Sequence, residues 1–126
     1  MTKKELNDLI ITKELSEVKL EDLIKKYPDI INWELISKFQ TLSEKFIEKH
    51  QDKVVWLCIY KHQTLSKKFI EKYKDKTYWN LISRYQKLSP EFILKNIDRI
   101  TKDIFKNMYY KDLPENIKLL LRLKIR

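Results

Sequence analysis

The string Leu-Ser-x-x-Phe-Ile begins at Leu42, Leu65 and Leu88, with a spacing of 23 residues each time. A fixed period constrains a chain more than composition does, because every unit must fold alike and bury its apolar face against the next. Residues 40–62 and 63–85 are identical at 13 of 23 positions. The register extends upstream to 17–39, which keeps Ile24, Lys26, Tyr27, Asp29, Trp33, Leu35, Ile36 and Ser37 of the 63–85 unit. Downstream, 86–108 keeps Gln86, Leu88, Ser89, Phe92, Ile93, Lys95 and Asp98. Each residue can therefore be weighed against its equivalents. One that recurs serves the frame; one that departs is free for something else.

Within a unit the pattern is helical. Ser43 reads as an N-cap whose hydroxyl accepts from a free amide of the first turn, and Ser66 and Ser89 repeat it. Pro90 follows Ser89, where a first helical residue is expected. Leu42, Phe46, Ile47 and His50 share one face of this first helix. Asp52, with Asp29, Asp75 and Asp98 as its equivalents, reads as a second N-cap. Val55, Cys58, Ile59 and His62 then stand at i, i+3, i+4 and i+7, the spacing of an amphipathic helix. Each unit is thus two helices of about two to three turns with very short links. Such helices do not persist alone, since isolated helices below about 12–15 residues rarely form in water.

The expected fold is all-α: an α-solenoid of stacked short helical hairpins forming a single domain, 1–126. Its parts are an N-terminal cap at 1–16, repeats at 17–39, 40–62, 63–85 and 86–108, and a C-terminal cap at 109–126. The capping helices are expected at 3–13, with Leu6, Leu9 and Ile10 on one face, and at 113–125, opened by Asp112 and Pro114. With layers about 8–10 Å apart, the array is expected to be a slightly curved rod of roughly 40–50 Å.

The chain contains neither glycine nor alanine, while Lys and Ile are abundant. This bias points to an AT-rich genome. Without glycine, phosphate-cradling loops and dinucleotide fingerprints are not expected. No apolar run approaches the roughly 18–20 residues that span a bilayer, and Met1–Glu5 lacks the apolar stretch of a signal peptide. One cysteine cannot form an internal disulfide. The expected location is the cytoplasm.

Leu-Ser-x-x-Phe-Ile-x-Lys-x-x-Asp-Lys-x-x-Trp-x-x-Ile, at 42–59 and 65–82, resembles the short α-helical repeats of phage, giant-virus and AT-rich bacterial proteins. The resemblance implies the fold and carries no general activity. Small basic proteins of this look also resemble phage-type inhibitors, of which anti-CRISPR proteins are an example. That likeness implies binding to a nucleic-acid-handling host complex.

Comparison between repeats removes most candidate reactive groups. Cys58 and His62 stand i, i+4, a spacing that can present two metal ligands. Their equivalents are Leu35, Leu81 and Ile104, and Phe39, Tyr85 and Met108, so both read as core positions. His50 replaces Tyr27 and Tyr73 and reads as packing. The serines and aspartates recur as caps, with no histidine placed to activate them. No enzyme, metal or cofactor is expected. Trp33, Trp56 and Trp79 form a ladder that reads as inter-repeat packing, with an exposed base-stacking row as the alternative.

Charge is more suggestive: the chain is formally +9. Lys26, Lys49, Lys72 and Lys95 hold one repeat position, and Lys38, Lys61 and Arg84 another. Lys53, Lys76 and Arg99 follow the aspartates. Such lines can follow an acidic protein face or a phosphate backbone; the alternative is solubility, with Glu48 and Glu71 neutralising part of the charge. Glu34, Leu57, Asn80 and Asp103 share one outward position, and Ser37, Tyr60, Ser83 and Lys106 are read as another. Leu57 and Tyr60 therefore mark the expected centre of a protein interface. The expected function is a protein-binding module, with RNA or DNA binding through the lysine lines, or a scaffolding role, as alternatives.

Overall fold

The computed structural model describes residues 1–73 and 78–125, and it is all-helical. The α-helices are α1 (Lys3–Thr12), α2 (Glu17–Lys26), α3 (Trp33–Phe39), α4 (Glu44–Lys49), α5 (Trp56–His62), α6 (Lys67–Lys72), α7 (Trp79–Tyr85), α8 (Pro90–Lys95) and α9 (Glu115–Lys124). Two 3-10 helices, Lys102–Lys106 and Tyr110–Asp112, lie between α8 and α9. The period shows in the boundaries. α2, α4, α6 and α8 end at Lys26, Lys49, Lys72 and Lys95, while α3, α5 and α7 begin at Trp33, Trp56 and Trp79. The chain forms two compact units, Met1–Gln63 and Thr64–Arg126.

Helix starts follow the local chemistry expected of them. The hydroxyls of Ser43, Ser66 and Ser89 accept from the amides of Phe46, Phe69 and Phe92 at 3.1, 3.2 and 3.1 Å. α2 starts one turn early, capped by Ser16, which accepts from Lys19 N–H. α1 opens with a reciprocal capping box between Thr2 and Glu5. The C-terminal helix begins after Pro114, close to where the sequence predicts it.

Helix ends pose a harder problem. A helix leaves its last carbonyls unpaired, and the usual remedy is a glycine turning into the left-handed region. This chain has no glycine, and no described residue has positive φ. Instead α3, α5 and α7 pass into extended backbone at Gln40, Gln63 and Gln86, with ψ of 143, 147 and 146°. The open carbonyls of α3 and α7 are met by side-chain amides from further along the chain.

In the first unit, the Gln40 Nε2 group donates to the Ile10 and Lys13 carbonyls at 2.6 and 2.7 Å, while its Oε1 accepts from Leu15 N–H. Gln63 repeats this, donating to Ser37 and Gln40 carbonyls at 2.9 and 2.7 Å and accepting from Leu42 N–H at 3.0 Å. In the second unit Gln86 accepts from Leu65 N–H at 3.1 Å. Asn107 then donates to the carbonyls of Ser83 and Gln86 at 2.9 and 2.7 Å. All four amide residues are buried.

Apolar burial fills the space around this frame. In the first unit α3 packs on α1 and on α5, and Leu6, Ile10, Leu20, Ile36, Ile47 and Ile59 are fully enclosed. In the second unit α7 packs on the 3-10 helix Lys102–Lys106, and Ile82, Ile93 and Leu121 are fully enclosed. Each such side chain stabilises its unit by about 1.5–3 kcal/mol, which is what keeps six- and seven-residue helices formed.

Three expectations are corrected. Asp29, Asp52 and Asp98 do not cap the second helix; they sit in an exposed turn before it, and Asp75 lies outside the described residues. In that turn the carbonyl of Tyr27, His50 or Asn96 accepts two amides further on, such as Lys53 and Val54 N–H at 2.8 and 3.0 Å. The N-caps are Asn32, Val55 and Tyr78, and the links are correspondingly longer than expected. His62, Phe39, Tyr85 and Met108 are exposed rather than core.

The third correction concerns Tyr60, which is completely buried, as are Ser37 and Ser83 at the same position. The serine hydroxyls accept from Val55 N–H and Thr101 N–H, 18 residues on. Polar residues here serve backbone groups, so polarity does not mark the outer face.

Replacing Gln63 with leucine leaves two carbonyls and one amide unpaired in the interior. Gln63→Leu is expected to lower unfolding stability by about 2–4 kcal/mol, despite the gain in apolar volume. Urea denaturation with an unchanged m value checks this; a loss below about 0.5 kcal/mol would show that the amide does not hold the frame.

Candidate functional site

The lysines at the first-helix ends are exposed, yet the described ones have local partners. Lys49 bonds the Glu21 carboxylate at 2.7 Å and Lys95 bonds Glu71 at 3.0 Å. Lys26 lies 3.9 Å from Asp22, and the Lys72 ammonium stands 5.5 Å from the centre of the Tyr73 ring. Carboxylates thus interleave this line, as the solubility alternative requires. Such exposed pairs each contribute little to stability.

The second line is differently dressed. Lys38 lies over the Phe39 ring at 5.3 Å and Arg84 over Tyr85 at 5.6 Å. Lys61 is exposed in the last turn of α5, next to exposed His62. The pattern is a cation beside an exposed ring at each helix end. Arg99 lies over Trp79 at 5.8 Å. Leu57 is 49% exposed on α5 and remains available as an apolar surface residue, whereas buried Tyr60 does not join it.

The tryptophans are half-buried and pack. Trp33 sits 5.0 Å from the His50 ring and 6.4 Å from Phe46; Trp79 stacks on Phe92 at 6.0 Å. Trp56 donates its indole N–H to the Gln51 carbonyl at 3.0 Å. His50 is wedged between Trp33 and Phe46 with Nε2 against Glu21, so it packs and pairs at once. Bonds from Lys49 first, and then His50, hold the Glu21 carboxyl below the usual glutamate range.

Burial pushes the Cys58 thiol up, with Glu34 adding to the effect, which is opposite to what a nucleophile needs. His62, exposed but partly shielded from water by its neighbours, is pulled down first by that desolvation and then by Lys61 and Lys38. Among the described residues no group of three His, Cys, Asp or Glu side chains is placed to hold a metal. None of the described helices is long and apolar enough to cross a membrane.

Charge is divided unequally between the units. Residues 1–63 carry 11 basic and 11 acidic side chains, and residues 64–126 carry 16 and 7, so the whole formal charge of +9 belongs to the second unit. The second unit also contains two neighbouring clefts, of about 420 and 220 Å³, which share Lys87, Leu88 and Ser89. A count of charges along the sequence reveals the division; the clefts have only an indirect signal, the break of the repeat after residue 108.

No protein-family model matches the chain, and no curated protein or solved structure matches it either.

The Glu21 cluster has a signed pH consequence. A carboxyl lowered on folding adds stability that is present above the unfolded glutamate value, about 4.3, and is lost as pH falls through the folded value. Wild type is therefore expected to lose its stability advantage over Glu21→Gln as pH drops from about 5 to about 3. Parallel denaturation curves across that window check it; a constant difference would mean that the cluster is not ionically coupled to folding.

Proposed function

We propose that the protein is a non-enzymatic binding module, an α-solenoid of short helical hairpins with terminal caps, whose partner is another protein with an acidic face. The observation that carries this reading is the placement of the entire net charge in residues 64–126. Solubility alone would spread charge over both units. A field confined to one unit steers and orients an anionic partner. The repeats support the same reading, because the recurring serines, glutamines and apolar residues cap or pack, while exposed positions such as Glu34, Leu57 and Asn80 vary. Leu57 and the exposed rings of Phe39 and Tyr85 supply apolar anchors of the kind interfaces use. The likeness to phage-type inhibitors supplies a setting, namely a nucleic-acid-handling host complex in a cytoplasm.

Direct RNA or DNA binding is the second reading. It is favoured by the Lys38–Phe39 and Arg84–Tyr85 pairs, since a cation beside an exposed ring suits a phosphate next to a base.

Two charge-reversed variants separate these readings from simple solubility. One carries Lys68→Glu, Lys102→Glu and Lys111→Glu in the second unit; the other carries Lys13→Glu, Lys45→Glu and Lys53→Glu in the first. With the intact chain as bait in nuclease-treated lysate, the second-unit variant is expected to retain roughly tenfold less of a stoichiometric partner, and the first-unit variant nearly as much as wild type. Equal losses from both would sink the acidic-partner reading. Capture that disappears with nuclease would replace it by the nucleic-acid reading. In that case anisotropy of a labelled oligonucleotide should fall steeply between about 50 and 200 mM salt.

A further inference from the structure

Position 109 breaks the amide pattern, and the break leaves unpaired donors in a cleft. Leu15, Leu42 and Leu65 each follow a helix C-cap by two residues, and each gives its N–H to a glutamine side chain. Leu88 stands at the same place after Gln86, and the register would put its glutamine at 109, where the chain has Tyr109. The helix that precedes this point is 3-10 and short, so its amide arrives early, as Asn107. Asn107 still covers the two carbonyls, but its Oδ1 accepts from Tyr109 N–H at 2.8 Å. The Leu88 N–H, on a residue that is 7% exposed, has no acceptor among the described residues.

The next residue shows the same loss. In the first unit Ser43 donates its N–H and its hydroxyl to the two oxygens of Glu17, at 2.7 and 2.8 Å. Ser89, its equivalent, accepts from Phe92 N–H and donates to no described residue. Three donors are thus open at Leu88 and Ser89, where the repeat elsewhere supplies an amide oxygen and a carboxylate. The Leu88 N–H is buried, and a buried N–H without a partner is uncommon and calls for an acceptor; the two Ser89 donors beside it are exposed.

The surroundings say which acceptor. Both residues line the 220 Å³ cleft, whose other lining includes Lys67 and Lys87 and no acidic residue. Neither lysine has a carboxylate within bonding distance among the described residues. Lys87 instead lies over the Tyr109 ring at 5.5 Å. The adjoining 420 Å³ cleft is mainly apolar, walled by Leu88, Pro90, Tyr109, Leu113 and Pro114, with Asp112 as its acidic member. The chain itself shows the preferred occupant of the first cleft, since Glu17 fills the corresponding place on Ser43.

We propose that this pair of clefts is a docking site for a peptide segment of a partner protein, in which an acidic residue stands next to an apolar one. The carboxylate takes the Leu88 and Ser89 donors between Lys67 and Lys87. The apolar side chain enters the larger cleft against Tyr109, Leu113 and Pro114, and Asp112 accepts an amide N–H of the bound segment. The site rests on the acidic-partner reading and specifies where on the second unit that partner is gripped.

The test is amide chemical-shift mapping on the intact chain, titrated with blocked tripeptides that pair one glutamate with one leucine or phenylalanine. The expected result is saturable shifts at Leu88, Ser89 and Tyr109, absent for the same peptides carrying glutamine in place of glutamate. Lys87→Glu is expected to weaken binding roughly tenfold or more, as loss of a charge-assisted bond does. Tyr109→Gln returns an acceptor to Leu88 and removes the aromatic wall. It is expected to melt no lower than wild type and yet lose the shifts, so a folding defect cannot mimic the outcome. Tight binding by Tyr109→Gln would overturn the proposal. Equal shifts with inorganic phosphate would reduce the site to one for any anion and overturn the peptide assignment. Stronger shifts with a thymidine oligonucleotide would assign it to nucleic acid and overturn it too. Failure here with continued loss of partner in the Lys68, Lys102 and Lys111 variant would leave the binding module standing and remove only this site.

Discussion

Everything in this fold depends on a side-chain amide buried at the end of a short helix. Gln40 and Gln63 each close two carbonyls and one amide that belong to chain 21 to 30 residues earlier. Without glycine, the backbone has no inexpensive way to turn back on its own helix end, so the cap must come from elsewhere in the chain. Capping and tertiary packing thereby become one interaction. A helix of seven residues is not capped until its successor is in place, and the successor cannot bury its glutamine until that helix exists. Stability is accordingly a property of adjacent pairs of elements.

Much of this was legible in the sequence, and the parts that were not share one cause. Ser43, Ser66 and Ser89 could be read as caps because N-capping depends on residues three apart. The Phe and Ile seam and the packing of Trp33 and Trp79 followed from the period. The misread positions are those where polar residues are buried. Ser37 and Ser83 look like surface residues and instead bond a backbone amide 18 residues away, so they drew Tyr60 to the wrong face. Gln40, Gln63 and Gln86 open three successive repeats, and in a chain lacking glycine that recurrence was the available sign of a helix-end role. The aspartates misled in the opposite direction: they repeat because an exposed turn repeats. The lysine lines were legible as lines, and Asp22 is visible four residues before Lys26, but the carboxylates on Lys49 and Lys95 come from a neighbouring helix and cannot be seen by spacing along one.

The division of charge adds something that the repeat does not require. Both units are built on the same frame, yet one is electrically balanced and the other carries the whole excess. The frame tolerates this because the positions that differ are exposed. The second unit also contains the place where the frame runs out of glutamines, so its strongest field and its unpaired donors belong to the same stretch of chain. The excess charge and the open Leu88 N–H thus fall where the repeated pattern stops constraining residues.

The amide relay also gives the chain a direction. Gln40, Gln63 and Gln86 each give a side-chain oxygen to a leucine N–H that precedes it by 21 to 25 residues, so acceptors pass one way along the chain. The two ends cannot be neutral together, because a relay that passes acceptors one way must finish with a donor left over. In this chain that donor is the Leu88 N–H, an open chemical valence left where the glutamines give out.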